Sequence, residues 1–413
     1  MKFPHYFFKY LVTLIILALS FKCTEEPIDL DLEQSLLIDT LTIKDLTLEN
    51  YVVAPNLATN KKLYVGSKDG IDIPFSFIKI SNSPFWPFYF DSLITIDSVF
   101  FKLYSNDSSL TSENSPILYF SPDSHFNENS SNYLDYVGFN TASWENIGPP
   151  SISINNDTSS IYTFTELKWR LDSLMPFLAD TLDSSLNRTF MIKYENNDSN
   201  FIELFSEEAT VQEKDPKVVM HYRVTNTTNS NTDSSIIDTL SSIIYGNGDL
   251  SIIDPTNYNE SSEEMLLGNG MGKRIFLKTN ISDGYFPEKV IFRKANLILP
   301  VDSTLNIPDN FNIIIDPIEI DTLISFDSLA VNVKDPYTGI GYPYRLSRDC
   351  EADKYEVSIK NFLQNILMGN EDNLGFKIVS NEENSPFDYI TFMLSDSSNL
   401  PKIEIIYVYT IDE

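Results

Sequence analysis

Thr189 to Val224 reads TFMIKYENNDSNFIELFSEEATVQEKDPKVVMHYRV, and Gly375 to Tyr409 reads GFKIVSNEENSPFDYITFMLSDSSNLPKIEIIYVY. Each is an apolar strand, an Asn- and Asp-rich turn, and a second strand ending at Ser206-Glu207-Glu208 or Ser395-Asp396-Ser397. A Pro-Lys step then leads into a closing strand in both. The chain is therefore a tandem repeat, and each copy of this phrase ends a longer unit.

Working outward, the order of segments repeats too. LLGNGMGKRIFLKTNI from Leu266 answers LYVGSKDGIDIPFSFIKI from Leu63, and VIFRKANLILPVDS from Val290 answers ITIDSVFFKLYSND from Ile94. In the latter, Ile96, Val99, Phe101 and Leu103 are expected in a core. Ile117 to Phe120 is answered by Asn312 to Ile315. YTFTELKWRLDSLM from Tyr162 is matched by YEVSIKNFLQNILMG from Tyr355, and in both a short strand is expected to run into a short helix. Leu167, Leu171, Leu174 and Met175 recur at helical spacing in the first, and Ile359, Phe362, Leu363, Ile366 and Leu367 in the second. The strand around Thr40 to Val53 opens the first unit, and Ile236 to Tyr245 is its counterpart.

Between the units, TNTTNSNTDSS from Thr225 has no apolar residue to bury, and reads as a linker. The organisation expected is a first unit over 36–224, a linker over 225–235 and a second unit over 236–413. Many short strands, closely spaced turns and little helix predict an all-β chain of two tandem antiparallel β-sandwich domains, jelly-roll-like, each with a short helix.

At 413 residues the chain exceeds one ordinary core, in keeping with two units. Its 42% hydrophobic content is that of a globular protein, and 22 Tyr with 28 Phe suit strands. Acids outnumber bases 59 to 29, a formal charge of −30, which repels nucleic acid and anionic lipid surfaces. The plain reading of that charge is a solvated surface, with cation binding next.

Two cysteines, Cys23 and Cys350, make no disulfide framework. Lys2 and Lys9 precede an apolar run from Leu11 to Phe21, too short to span a membrane, and Cys23 is followed by Thr24-Glu25-Glu26. This resembles a bacterial lipoprotein signal, which implies lipidation of Cys23, an acidic tether over 24–35 and a membrane partner through the lipid anchor. Lys22 stands where such signals carry a small residue, so cleavage near Ala18 or retention as a short anchor are the alternatives.

The order of segments resembles DNRLRE-type domains, β-sandwiches grouped with carbohydrate-binding modules of secreted bacterial proteins. The resemblance rests on Ile96-Asp97-Ser98-Val99 with Leu103-Tyr104, the Trp144 loop, the step at Tyr162, and FIELFSEEA before Pro216-Lys217-Val218-Val219-Met220-His221-Tyr222. It implies a surface lipoprotein at the outer membrane or cell surface. The second unit departs further, with no tryptophan and Leu394-Ser395-Asp396-Ser397 in place of Phe205-Ser206-Glu207-Glu208.

Catalytic chemistry has little to stand on. His125 lies in a polar loop, His221 reads as a sheet-face residue of the closing strand, and no Ser-His-Asp, HExxH or Cys-rich zinc spacing is present. Gly268-Asn269-Gly270-Met271-Gly272 precedes a strand rather than a helix, and so reads as a turn and not a phosphate loop. Paired carboxylates for a glycoside hydrolase are not singled out by any spacing; Glu207 and Glu208 recur only loosely in the second copy, as Asp396, and an ion-pair or turn role suits them better. No metal site is assigned; Asp107 to Glu113 and Asn370 to Asn373 offer oxygen ligands to a structural calcium ion without EF-hand spacing. No cofactor is expected.

The best binding stretch is Ser83-Pro84-Phe85-Trp86-Pro87-Phe88-Tyr89-Phe90, whose prolines exclude a central strand. Phe85, Trp86, Phe88 and Tyr89 can stack on sugar rings, with Trp144 as a weaker addition and Trp169 read as core. The competing reading is that these rings bury themselves over a sheet or between the units. The sequence thus predicts a non-catalytic exported lipoprotein that binds a polysaccharide. A structural or assembly module without glycan binding is the alternative, and a glycosidase a weaker one.

Overall fold

A computed structural model describes residues 36–410 apart from 81–93, 157–162, 176–177, 179–185, 196–199, 212, 227–235, 257–263, 280, 282–284, 288, 303–307, 309, 320–330, 352, 382–383 and 395–399. Cys23, the 24–35 tether and the stretch carrying Phe85, Trp86, Phe88 and Tyr89 lie outside the described residues.

The first strands are β1 (Leu36–Ile43), β2 (Leu46–Val53), β3 (Lys62–Lys68), β4 (Ile71–Ile80), β5 (Ile94–Ser105) and β6 (Ile117–Ser121). Then come β7 (Glu145–Gly148), β8 (Ser151–Asn156), β9 (Thr163–Arg170), β10 (Thr189–Lys193), β11 (Phe201–Phe205) and β12 (Lys217–Asn226). The second half has β13 (Ile236–Asp254), β14 (Glu264–Gly268), β15 (Lys273–Thr279), β16 (Val290–Pro300), β17 (Asn312–Pro317) and β18 (Val331–Asn332). It ends with β19 (Leu346–Asp349), β20 (Lys354–Ser358), the helix α1 (Lys360–Leu367), β21 (Phe376–Ser380), β22 (Tyr389–Met393) and β23 (Lys402–Thr410). The chain is all-β, and its ladders are antiparallel except where β18 pairs with β2. The repeated phrase of the sequence forms β10, β11 and β12 in one copy and β21, β22 and β23 in the other.

Pairing crosses the boundary that the repeat suggests. β1 lies against β23 from Leu36 opposite Thr410 to Ile43 opposite Ile403, and β2 lies against β15 from Leu46 opposite Thr279 to Val52 opposite Lys273. β13 does the converse. Its first part pairs with β12, from Ile236 opposite Asn226 to Tyr245 opposite Lys217, and its second part pairs with β4 from Gly246 to Asp254. The β1–β2 segment and β13 are counterparts, as the sequence predicts, but each completes the sheets of the other half. Strand pairing thus joins residues on both sides of the 225–235 boundary. The physical reason is that a closing strand leaves a row of backbone donors and acceptors that needs a neighbour, and period-two patterning leaves open which copy supplies it.

Each opening segment changes ladder partway. The first does so at Lys44-Asp45 between β1 and β2, and the second at a register shift between Gly246 and Asp249 within β13. As a result one apolar cluster draws on the four-stranded sheet β1-β23-β16-β20 through Leu297, Val357 and Ile405, and on the eight-stranded sheet through Ile275, Ile315 and Ile378. The other half repeats this. Phe101, Leu103, Leu167 and Met220 from the β12-β5-β9 ladder share a cluster with Ile78, Phe120 and Phe190 from the β4-β10-β6 ladder. Val99, Phe101 and Leu103 are fully buried, as their alternation requires, and so is Trp169 at 1% exposure. Burying a side chain of this size is worth roughly 1.5–3 kcal/mol, so the alternating strands supply much of the driving force. The halves also touch directly, where the Phe387 ring meets Tyr64 and Phe201 edge-on at 5.1 and 5.0 Å.

In the second half α1 follows β20 and buries Phe362 and Leu363. In the first, Leu167 and Trp169 lie on β9, which is followed by a 3₁₀ turn at Asp172–Leu174 and then by helical residues at Met175 and Leu178. Leu171 and Leu174 are both buried there. Asp172 Oδ1 fastens that turn by accepting from the Val99 N–H at 3.0 Å.

The exchange is testable by cross-linking. Thr42 faces Glu404 across the β1–β23 ladder, so a Thr42→Cys, Glu404→Cys protein is expected to form an intramolecular disulfide under mild oxidation, read as faster migration on a non-reducing gel. A free-thiol product from the folded protein would refute the exchange.

Candidate functional site

Alternation along the eight-stranded sheet sends two sets of residues in opposite directions. On β15, β17 and β21, Ile275, Leu277, Ile313, Ile315, Phe376 and Ile378 enter the core. The intervening residues Arg274, Ile314, Asp316, Lys377 and Val379 point the other way. These line a cavity of about 380 Å³. Its remaining walls come from Val53 to Thr59, where the chain crosses back from β2 to the first half, from Asn129, from the Gly268–Lys273 turn, and from Asp335 and Arg345. The cavity thus sits at the seam between the halves.

The turn that sequence reading separates from a phosphate loop is a turn, joining β14 to β15. One of its glycines answers to the crossover: a Cβ on Gly272 would stand 2.1 Å from the Val53 carbonyl oxygen, and its φ is +64°. Val53 N–H donates to Gly272 O, and Ala54 N–H to Asn332 O, both at 2.9 Å. Only a glycine permits this approach, which pins the crossover as the cavity wall.

Charge is arranged around one carboxylate. Asp335 Oδ2 accepts from Arg274 Nη1 at 2.5 Å and from Lys377 Nζ at 3.2 Å, and its Oδ1 accepts from Tyr51 Oη at 3.3 Å and from the Tyr337 N–H at 2.9 Å. Burial first, and the Asp335 charge second, push the Tyr51 hydroxyl well above its usual value, so it stays a donor. Asp316, 3% exposed, accepts from the Gly341 N–H at 2.9 Å. Lys273, 7% exposed, stands at the start of β15, where the turn meets the strand, and lines the cavity there. Sequence reading missed these residues. The signal lay in the alternation of KRIFLKT and FKIVS, where cations take the positions opposite the apolar ones.

A second cluster gathers carboxylates near Ser206-Glu207-Glu208. Oxygens of Glu128, Glu208 and Asp249 lie within 4.8 Å of one another, the arrangement among the described residues that suits a hard cation best. Asp249 is 1% exposed; its Oδ2 accepts from the Glu207 N–H at 2.7 Å, and its own N–H donates to Glu128 Oε1 at 3.0 Å. Burial, reinforced by Glu208, Glu128 and Glu207, raises Asp249 well above the carboxylate range. Burial, then Glu128, Glu208 and Asp215, pushes Glu207 up to about 7. None of the four lines the seam cavity, so this carboxylate cluster stands apart from it. In the loops named for calcium, Asp107 Oδ1 accepts from the Ser109 N–H at 2.8 Å, and Asn373 Nδ2 donates to Thr279 O, 94 residues away, at 3.0 Å.

Trp144 is placed differently from expectation. It is 6% exposed and stacks on Phe77 at 5.8 Å, within an aromatic cluster of Phe75, Phe126, Tyr136 and Phe139 that covers the outer face of β4. Its ring is packing and presents no face to a sugar. His221 is half-buried on β12 against Phe100, and Trp169 Nε1 donates to Gly148 O at 2.9 Å.

Two outcomes follow. Trp144→Ala is expected to destabilise the fold by about 3–5 kcal/mol in denaturant unfolding; an unchanged midpoint would return Trp144 to the surface. For Glu207, the unfolded chain titrates near its ordinary 4.5 and the fold near about 7. The fold thus binds the proton more tightly, and its stabilising contribution is full below about 4.5 and lost as pH rises through about 7. Glu207→Gln should therefore raise the Tm above neutral pH and leave it unchanged in acid, whereas a pH-independent difference would contradict the cluster's electrostatics.

No family model, no curated protein and no solved structure matches this chain, so its functional reading rests on the seam cavity and the sequence.

Proposed function

We propose that the chain is an exported, lipid-anchored envelope protein whose two β-sandwich, jelly-roll-like units act together as a binding module for a polysaccharide, without catalysis. The observation that carries this reading is the seam cavity. It is polar, it is walled by both halves, and Arg274, Lys377, Asp335 and Asp316 in its wall are held by hydrogen bonds, as suits a site that orients a ligand rather than one that moves protons. Because the wall is the crossover from β2, the exchange of opening strands makes the site a property of the whole protein. The leader with Cys23 supports the anchor. The aromatic stretch Phe85, Trp86, Phe88 and Tyr89 supports a sugar ligand through ring stacking.

A second reading, as an assembly module, draws on β1. It is the edge of its sheet, with Leu36 61% and Ile38 72% exposed, and an open apolar edge invites another strand.

The deciding measurement is retention of the full chain on a panel of soluble and insoluble polysaccharides, run beside Asn129→Trp and Trp86→Ala. Asn129 is exposed at the cavity wall, so the indole is expected to block the cavity and abolish retention with the Tm unchanged. Trp86→Ala is expected to weaken it. Absence of retention on every polysaccharide would sink the glycan reading, and self-association lost in Ile38→Lys would then favour the assembly module.

A further inference from the structure

We infer that the seam cavity selects an anionic ligand group, a carboxylate or a sulfate or phosphate ester, and that Arg345 is the residue that takes it; as applied to a glycan, this rests on the polysaccharide reading above. The chain carries twice as many acids as bases, yet the wall of this cavity reverses the balance. Lys273, Arg274, Arg345 and Lys377 line it against two carboxylates, Asp316 and Asp335.

Both carboxylates are committed to the scaffold. Asp335 holds Arg274 and Lys377 with a single oxygen, so one negative charge faces two positive ones. Asp316 is buried against the Gly339–Gly341 backbone, where a Cβ on Gly339 would stand 2.1 Å from its Oδ2. Arg345 is outside that network. Its backbone N–H donates to Gly341 O at 2.7 Å, which anchors the residue, while its guanidinium makes no ion pair or hydrogen bond among the described residues. In so acidic a protein, an exposed arginine without a carboxylate partner beside a cavity of net positive charge is a ligand-facing group rather than a structural one.

The lining contains no aromatic residue. Recognition here is consequently by charge and hydrogen bonding, not by stacking. A planar guanidinium engages carboxylate, sulfate and phosphate oxygens in pairs, and the cations held by Asp335 raise the local potential without closing on the ligand themselves. Field lines in such a recess are focused by its low-dielectric walls, which strengthens binding relative to the same cations on open surface.

The test is calorimetric titration of the full chain and of Arg345→Ala and Arg345→Glu with oligogalacturonate, a sulfated dextran oligomer, neutral dextran, inorganic sulfate and inorganic phosphate, at low and raised salt. The acidic oligosaccharides are expected to bind, to lose roughly tenfold or more in affinity in Arg345→Ala and further in Arg345→Glu, and to weaken with salt, at unchanged Tm. Equal binding of neutral dextran by all three proteins would overturn the charge selection and keep the glycan reading. Binding of inorganic sulfate or phosphate alone, lost in Arg345→Glu, would keep the anion site and overturn the glycan reading. Acidic ligands that bind the variants as well as the parent would remove Arg345 from the site, and silence of all five ligands would overturn both readings.

Discussion

The fold depends on two closing strands that need partners. β12 and β23 each end a repeat with a row of unpaired backbone groups on one side, and each is completed by an opening segment from the other half of the chain. A backbone donor left without partner in a buried ladder costs far more than the net gain of one hydrogen bond, so the opening segments are obligatory. Since each also turns from one ladder to another, a single segment both closes the sheet and sets its partner across the core. The crossover at Val53 to Thr59 is the product of that arrangement, and the cavity is bounded by it.

The halves are alike in ladder order and unlike on their outer faces. On β4, positions 75 and 77 are phenylalanines, sealed by Phe126, Tyr136, Phe139 and Trp144. On β15, the strand in the matching place, Arg274 and Phe276 occupy that face, and Phe276 stacks on Tyr337 at 5.0 Å while Arg274 turns to Asp335. One face became a second apolar layer and the other a charged recess. Divergence between repeats has therefore fallen where the core constrains it least, since Ile78 and Ile80 on β4 and Ile275 and Leu277 on β15 keep the inward faces apolar.

What could be read in the chain follows from what period and spacing encode. Strand identity was legible because KRIFLKT, FKIVS and ITIDSVFFKLYS alternate strictly enough to mark an inner face, and the repeat exposed the equivalence of β1–β2 with β13. Partner choice was not legible: both opening segments present similar alternation, and either closing strand accepts either. Trp144 looked available because its loop is polar, whereas burial came from Phe77 and Phe126, far away in sequence. Arg345 left no signal at all, because its significance lies in the absence of a neighbour and in a recess assembled from seven separate segments.

The ladder between β1 and β23 joins the first described strand to the last, with Leu36 opposite Thr410. A chain that emerges from its N-terminus must hold β1 unpaired until β23 has appeared. Its apolar positions Leu41 and Ile43 wait in solvent for nearly the whole length of the polypeptide, and closure of so long a loop comes late in folding. β13, by contrast, finds β12 as soon as it is made. The first half can therefore assemble in the order of synthesis, while the second acquires its edge only at the end, and the segment most exposed to misassembly in the interval is the one nearest the start of the described chain.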